Sequence, residues 1–247
     1  MAAGRFLLYG IRQVEGRSLM GWKSTVRNLP IIGRLSYIIW PSGKVETLSF
    51  ESSSQYWEDR YRQGGNSGAG SYNRLAEFKA DILNQFVADN QTRTIIEFGC
   101  GDGAQLALAT YPSYVGVDVS ETVLDLIRSK FASVDTYRFI HTKNVEAEPT
   151  VDLTLSLDVI YHLVEDEAFD HYMRNLFAKS HRHVIVYSSN EDRDWTSPHV
   201  RHRRFVDWVE RNAKDFRLKQ HIPNRYPFDP NDTANTSFAD FFIFERD

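Results

Sequence analysis

The stretch that most constrains this chain is residues 94–106, TIIEFGCGDGAQL. Residues 94–98 form a short β-branched and apolar run that reads as a buried strand. Gly99, Gly101 and Gly103 then alternate through a tight turn, and residues 104–110 read as a short helix. Glycine tolerates positive φ and lets a ligand come close to the backbone. A helix start leaves N–H groups free to point at whatever sits above the turn. Strand, bare turn and helix start together form a nucleotide cradle at the carboxyl edge of a sheet.

Charge decides which nucleotide. Gly99, Gly101 and Ala104 also satisfy the dinucleotide fingerprint G-x-G-x-x-G/A, so the glycines alone do not choose. Glu97 lies at the strand end, Asp102 in the turn, and Asp118 closes the next strand. A pyrophosphate would be repelled by the first two acids, whereas a ligand carrying a sulfonium and an ammonium would be attracted. One charge pair at about 4 Å and an effective dielectric near 20 is worth roughly 4 kcal/mol before desolvation. The acids favour S-adenosylmethionine over NAD.

At 247 residues the chain can hold one α/β domain with a sizeable core and an extension. A formal charge of −4 argues against a nucleic-acid substrate. The single cysteine, Cys100, permits no intramolecular disulfide and suits a reducing, cytoplasmic setting. No apolar run reaches the ~20 residues of a transmembrane segment, and the first ten residues lack the pattern of a signal peptide.

Residues 1–50 differ from the rest. Seven basic residues oppose only Glu15 and Glu46, a net +5. This basic N-terminal extension reads either as an arm packed on the domain or as a surface that docks on an acidic protein partner or an anionic membrane. Residues 44–50 alternate as a short strand. The domain proper is expected over 51–247, with 51–90 as lid and leading helix. Tyr56, Trp57, Arg60 and Tyr61 recur at helical spacing, and Gly64, Gly65, Gly68 and Gly70 then form a mobile loop. Aromatics joined to a glycine hinge fit a lid over a site or, equally, a core helix with a loop after it. Residues 75–87 carry one apolar stripe, Leu75, Phe78, Ile82, Leu83, Phe86 and Val87.

Strand and helix patterns alternate from Thr94 onward. Strands are expected at 94–98, 114–118, 137–141, 152–157, 183–188, 216–221 and 238–244, and helices at 123–131, 168–178 and 205–213. Repeated βα units imply a mostly parallel sheet with helices on both faces. The last two strands lack an intervening helix and pair antiparallel.

The segment Glu97-Phe98-Gly99-Cys100-Gly101-Asp102-Gly103 resembles the first motif of class I S-adenosylmethionine-dependent methyltransferases. Asp118 sits 19 residues after Gly99, where that family's second acid binds the ribose hydroxyls. Residues 156–163, SLDVIYHL, resemble the motif after the fourth strand. The resemblance covers about 94–188. It implies an α/β, Rossmann-like three-layer sandwich whose seven-stranded sheet is mostly parallel, with an antiparallel last strand, in order 3-2-1-4-5-7-6. It also implies that Gly99, Cys100, Gly101, Gly103 and Val119 line the donor, with Glu97 orienting its amino-acid end and Leu157 and Asp158 on the methionine side. Tyr56 and Arg60 are expected to reach it from the lid, and Asn144 lies near the adenine position. Cys100 reads as a small turn residue, although a helix N-terminus beside it would lower its pKa.

Methyl transfer to an amine needs only a lone pair, whereas a hydroxyl acceptor also benefits from a general base. His162, four residues after Asp158, is one candidate; His199 and His202, after the fifth strand, are the other. Each has a plain structural reading as well: His162 closing a helix start, His199 and His202 in a solvated helix start. Two histidines without a third ligand make no metal site. Tyr161 and Tyr56 would shape the acceptor pocket. The sequence therefore reads as a methyltransferase acting on a small-molecule or glycan hydroxyl. N-methylation of a small amine or protein side chain, a non-catalytic cofactor-binding protein and an NAD-linked reductase are its rivals.

Overall fold

The structure, a computed structural model, describes residues 35–39 and 45–247. The basic residues of the extension up to Arg34, and Lys44, lie outside the described residues, so the two readings of that arm stay as expectations. An antiparallel ribbon of β1 (Leu35–Ile39) and β2 (Val45–Ser49) comes first. Two helices follow, α1 (Ser53–Arg62) and α2 (Asn73–Asp89). Then come β3 (Ile95–Phe98), β4 (Tyr114–Asp118), α3 (Glu121–Lys130), β5 (Tyr137–His141) and β6 (Val151–Leu157). The chain closes with α4 (Asp166–Ala178), β7 (Ser180–Ser188), α5 (Phe205–Asn212), β8 (Phe216–Ile222) and β9 (Asp240–Arg246).

These last seven strands form one sheet in the order β5-β4-β3-β6-β7-β9-β8. The pairs from β5 to β7 are parallel, and β9 runs antiparallel to both its neighbours. This is the expected order and the expected reversed strand. β3 and β4 are buried along their whole length, as central strands covered on both faces must be.

Strand alternation divides the core into two layers. Ile95, Tyr114, Leu155, Tyr187 and Phe241 face Phe78, Leu83 and Val87 of α2 and Leu124 and Ile127 of α3. Ile96, Phe98, Val117, Val186 and Phe242 face Phe169, Met173 and Leu176 of α4 and Phe205 and Val209 of α5. Glu97 falls on the α2 side, and that placement decides much of its chemistry. Among the described residues no helix is long and apolar enough to cross a membrane.

One expected element does not form. Residues 104–110 hold only a single 3-10 turn, Leu106–Leu108, and Ala109 is already extended. Asp102 Oδ1 accepts from Ala104 N at 2.9 Å, a local side-chain bond that takes the place of a helical one, while Gln105 Nε2 reaches across to Ala76 O of α2 at 3.1 Å. The glycine turn therefore lacks an α-helical N-terminus behind it. Gly103 has φ +69°, and a Cβ there would lie 2.7 Å from Phe131 and 2.9 Å from Ile127. Its bareness serves packing against the end of α3. Gly103→Ala is expected to lower stability by about 1–3 kcal/mol through strain and overpacking, read as a lower denaturant midpoint in equilibrium unfolding.

Candidate functional site

Three acids meet where β3, β4 and β6 end side by side. Glu97 and Asp118 are the last acids of β3 and β4, and Asp158 follows β6. All three line a cavity of about 500 Å³, a volume in the usual range for small-ligand sites. Glu97 is 3% exposed and Oε2 accepts from the Tyr114 hydroxyl at 2.6 Å. Burial pushes its pKa up to about 7, against the Tyr114 hydrogen bond and the nearby Lys79, which pull it down. Asp118 accepts from Gly101 N and Ser120 N, each at 3.0 Å, one on each oxygen. Burial raises its pKa in spite of those bonds. Each oxygen keeps a further acceptor position.

Asp158 has φ +61°, an unusual conformation for a non-glycine residue. Lys79 Nζ holds its Oδ2 at 2.5 Å and Tyr161 OH donates to Oδ1 at 2.8 Å. The Lys79 side chain is 1% exposed and also lines the cavity. Its ammonium is the lysine or arginine charge among the lining residues, against several carboxylates. Removing one member of such a buried pair costs about 3–5 kcal/mol, because the other is left uncompensated.

α1 lies across this edge as a strap. Ser52 caps it, accepting from Gln55 N at 3.2 Å. At its start, Ser53 donates to both oxygens of Glu165, through N at 2.9 Å and Oγ at 2.6 Å. At mid-length, Glu58 accepts from the hydroxyls of Ser120 and Thr122 at the head of α3, both at 2.6 Å. In the loop after it, Ser67 N donates to Asp102 Oδ2 at 2.8 Å and Ser67 Oγ accepts from Asp102 N at 2.9 Å. Tyr72 OH adds a third bond to Asp102, at 2.6 Å. Trp57, Tyr61, Ser67 and Ser71 line the cavity from this side.

His162 lines the cavity next to the strap. Its Nδ1 lies 3.0 Å from the carbonyl oxygen of His199. A carbonyl only accepts, so Nδ1 carries the hydrogen and Nε2 of the neutral ring is an acceptor. Burial pushes the His162 pKa down to about 4, more than the bond to His199 raises it. Trp57 meets its ring edge-on at 4.9 Å. His199 stacks on Tyr56 at 4.3 Å, and burial brings its pKa to about 3. His202 bonds Ser189 Oγ at 2.7 Å, with burial holding it near about 4. Tyr56 OH, His199 Nδ1 and His202 Nε2 are buried without partners. Each such orphan costs about 1–3 kcal/mol.

Residues 96–186 match the family described as a methyltransferase domain. The fold is similar to that of the N-methyltransferase NodS from Bradyrhizobium japonicum in complex with S-adenosyl-L-homocysteine: TM-score 0.61, 15% identity, 79% of this chain and 99% of that one. It is also similar to magnesium protoporphyrin IX methyltransferase from Synechocystis PCC 6803 with bound S-adenosylhomocysteine: TM-score 0.57, 15% identity, 78% of this chain and 98% of that one. Residues 96–186 carry a methyltransferase domain, and the fold around them is that of these two methyltransferases. No curated protein sequence matches it.

The fold brings Glu97, Gly99, Cys100, Gly101, Asp118, Val119, Leu157, Asp158 and His162 together around one cavity. Gly103, Tyr56, Arg60, His199 and His202 are not among its lining residues. Gly103 packs on α3, Tyr56 on His199, and Arg60 Nε donates to Asn66 O at 2.7 Å. Asn144 is exposed, and Thr142 and Val145 line that side instead. Asp102 also lines the cavity, but its Oδ2 is engaged by Ser67 N and Tyr72 OH. Cys100 is buried in the turn, and burial, with Asp118 and Glu97 adding to it, drives its pKa well above the ordinary thiol value, opposite to the lowering a helix N-terminus would give. That environment makes an inert thiol. Among the described residues no cluster of three or more His, Cys, Asp or Glu is arranged to hold a metal ion.

Lys79 escaped the sequence reading, although its position carried a signal. It lies four residues after Leu75 and four before Leu83, inside the apolar stripe of α2. A lysine there must be buried with a partner.

The buried histidines give a pH dependence with a definite sign. A histidine whose pKa falls on folding takes up protons more readily once unfolded. Its contribution is whole above the unfolded pKa near 6.5 and is lost as pH falls toward about 3 for His199. His199→Phe keeps the stack on Tyr56 and the backbone carbonyl that His162 uses, while removing the titrating, unpartnered ring. Calorimetric melting temperatures should fall less steeply between pH 6.5 and 4 in this variant than in the wild type.

Proposed function

We propose that the cavity binds S-adenosylmethionine and that the enzyme transfers its methyl group to a hydroxyl of a small molecule or glycan. The residues present fit the donor. Asp118 offers free acceptor positions for ribose hydroxyls, and Glu97 and the neighbouring acids suit its positive groups. Gly99 and Gly101 line the cavity at φ +81° and +54°, and their bareness admits Val159 and Ser67 against the turn, 2.4 and 2.3 Å from where a Cβ would stand. Val119, Val145 and Leu163 supply apolar wall for the adenine. When bound, the donor supplies a carbon already activated by positive sulfur.

The chain's own residues then have to align an acceptor, exclude water and take a proton. Trp57 and Tyr61 of the strap stand over the cavity as apolar cover. The observation that carries the hydroxyl reading is His162: Nδ1 is engaged by a backbone carbonyl, while the ring lines the cavity with Nε2 in its proton-accepting form. With a pKa of about 4, the ring stays neutral throughout the physiological range. That same low value makes it a modest base, and this supports the second reading, a small amine acceptor that needs only a lone pair.

Methyl-labelled donor offered with a panel of sugars, polyols and amines separates the two readings by the atom that becomes labelled. O-methyl product is expected. His162→Ala should lower kcat by about 10²–10⁴ with little change in donor KM, whereas Asp118→Ala should raise donor KM. Exclusively N-methylated products, or full turnover by His162→Ala, would overturn the hydroxyl reading.

A further inference from the structure

The strap touches both halves of the cavity through different residues. Toward the glycine turn it reaches Asp102 with Ser67 and Tyr72. Tyr61 OH reinforces this by bonding Ser67 Oγ at 3.0 Å. A Cβ on Gly101 would lie 2.3 Å from Ser67 Oγ, so the loop seats directly on the turn. Gly70 seats on Asp158 in the same way, with a Cβ there 2.8 Å from Oδ2. Toward the acceptor side the same helix presents Trp57 to His162 and Tyr56 to His199. Ser53 Oγ also accepts from Val164 N at 3.0 Å, tying the strap to the backbone just after His162.

Opposing contributions balance the closed position. Hydrogen bonds to Asp102, Ser120, Thr122 and Glu165 hold it shut. Closure also buries Tyr56 OH and His199 Nδ1 without partners, and opening would hydrate both. The connecting loop has two glycines at positive φ with open space around them, Gly64 at +81° and Gly68 at +87°. A segment so held is suited to move between two positions.

We propose that Asp102 is a positioning residue: through Ser67 and Tyr72 it latches the strap, and the latched strap completes the His162 wall. Occupancy of the donor half is thereby coupled to assembly of the acceptor half. The proposal rests on the donor reading above. It reassigns the acid of the glycine turn from the ligand to the lid. Asp102 acts on the acceptor wall only through α1.

Hydrogen–deuterium exchange of the full chain, with and without S-adenosylhomocysteine, tests this. The ligand should slow exchange by about tenfold or more both in residues 63–72 and in residues 162–167, which include Val164. The double variant Ser67→Ala with Tyr72→Phe keeps every residue of the glycine turn and removes the latch's two side-chain bonds, from Tyr72 OH to Asp102 Oδ2 and from Asp102 N to Ser67 Oγ. It should still bind S-adenosylhomocysteine in calorimetry while losing protection in both segments together. Glu58→Ala, which frees the strap from α3, should give the same joint loss and serves if the double variant misfolds. Protection of 162–167 that survives loss at 63–72 would overturn the coupling, as would binding to the wild type without protection. Absence of any binding to the wild type would instead overturn the donor reading, and the coupling with it.

Discussion

The site depends on placing buried carboxylates at the ends of three adjacent strands with little positive charge to offset them. Parallel pairing of β4, β3 and β6 brings Glu97, Asp118 and Asp158 to one edge. Each acid is held differently. Asp118 is held by backbone N–H groups, Asp158 by Lys79 and Tyr161, and Glu97 by one tyrosine hydroxyl. Desolvation is the largest influence on Glu97 and Asp118 and raises the pKa of both. A cationic ligand would relieve that penalty, whereas a pyrophosphate would deepen it. The preference of the cavity follows from this balance and owes little to the glycines.

The neighbouring elements are organised around the same edge. α2 lends Lys79, β4 lends Tyr114, and α3 presents Ser120 and Thr122 to Glu58 of the strap. Asp102 serves as an attachment point for the lid. The acid most prominent in the glycine turn thus contributes closure, while the acids deeper in the sheet contribute charge. The histidine wall is assembled from a single backbone contact and a set of stacked rings, all made neutral by burial.

Much of the fold was legible because its signals are local. Runs such as YVGVD and HVIVYS are strands wherever they are buried, and the stripe of α2 declares its covered face. Strand order needed the resemblance to a known family, since pairing is a long-range property. The helix expected after the glycine turn failed because Asp102 binds the Ala104 backbone locally and Pro112 follows within a few residues. Glu97, Gly99, Gly101 and Asp118 were readable from the strand–turn pattern and its acids, whereas Asp158 came only with the resemblance to a known family. His162 could not be separated from His199 and His202 in sequence: only the fold shows that one lines the cavity while the others pack behind it. Lys79 was hidden by habit, since a lysine on a helix is ordinarily read as wet.

The central claim is that buried acid at this edge hosts a positively charged methyl donor. It is tested most directly by calorimetric titration with S-adenosylhomocysteine, whose ammonium is charged, across pH 6 to 8. A cation bound near Glu97 lowers a pKa that stands at about 7 in the free protein. Binding should therefore release protons and tighten as pH rises through that value, and the Glu97→Gln variant should lose the dependence. Affinity that is flat or weakens with rising pH, or no binding at all, would contradict it.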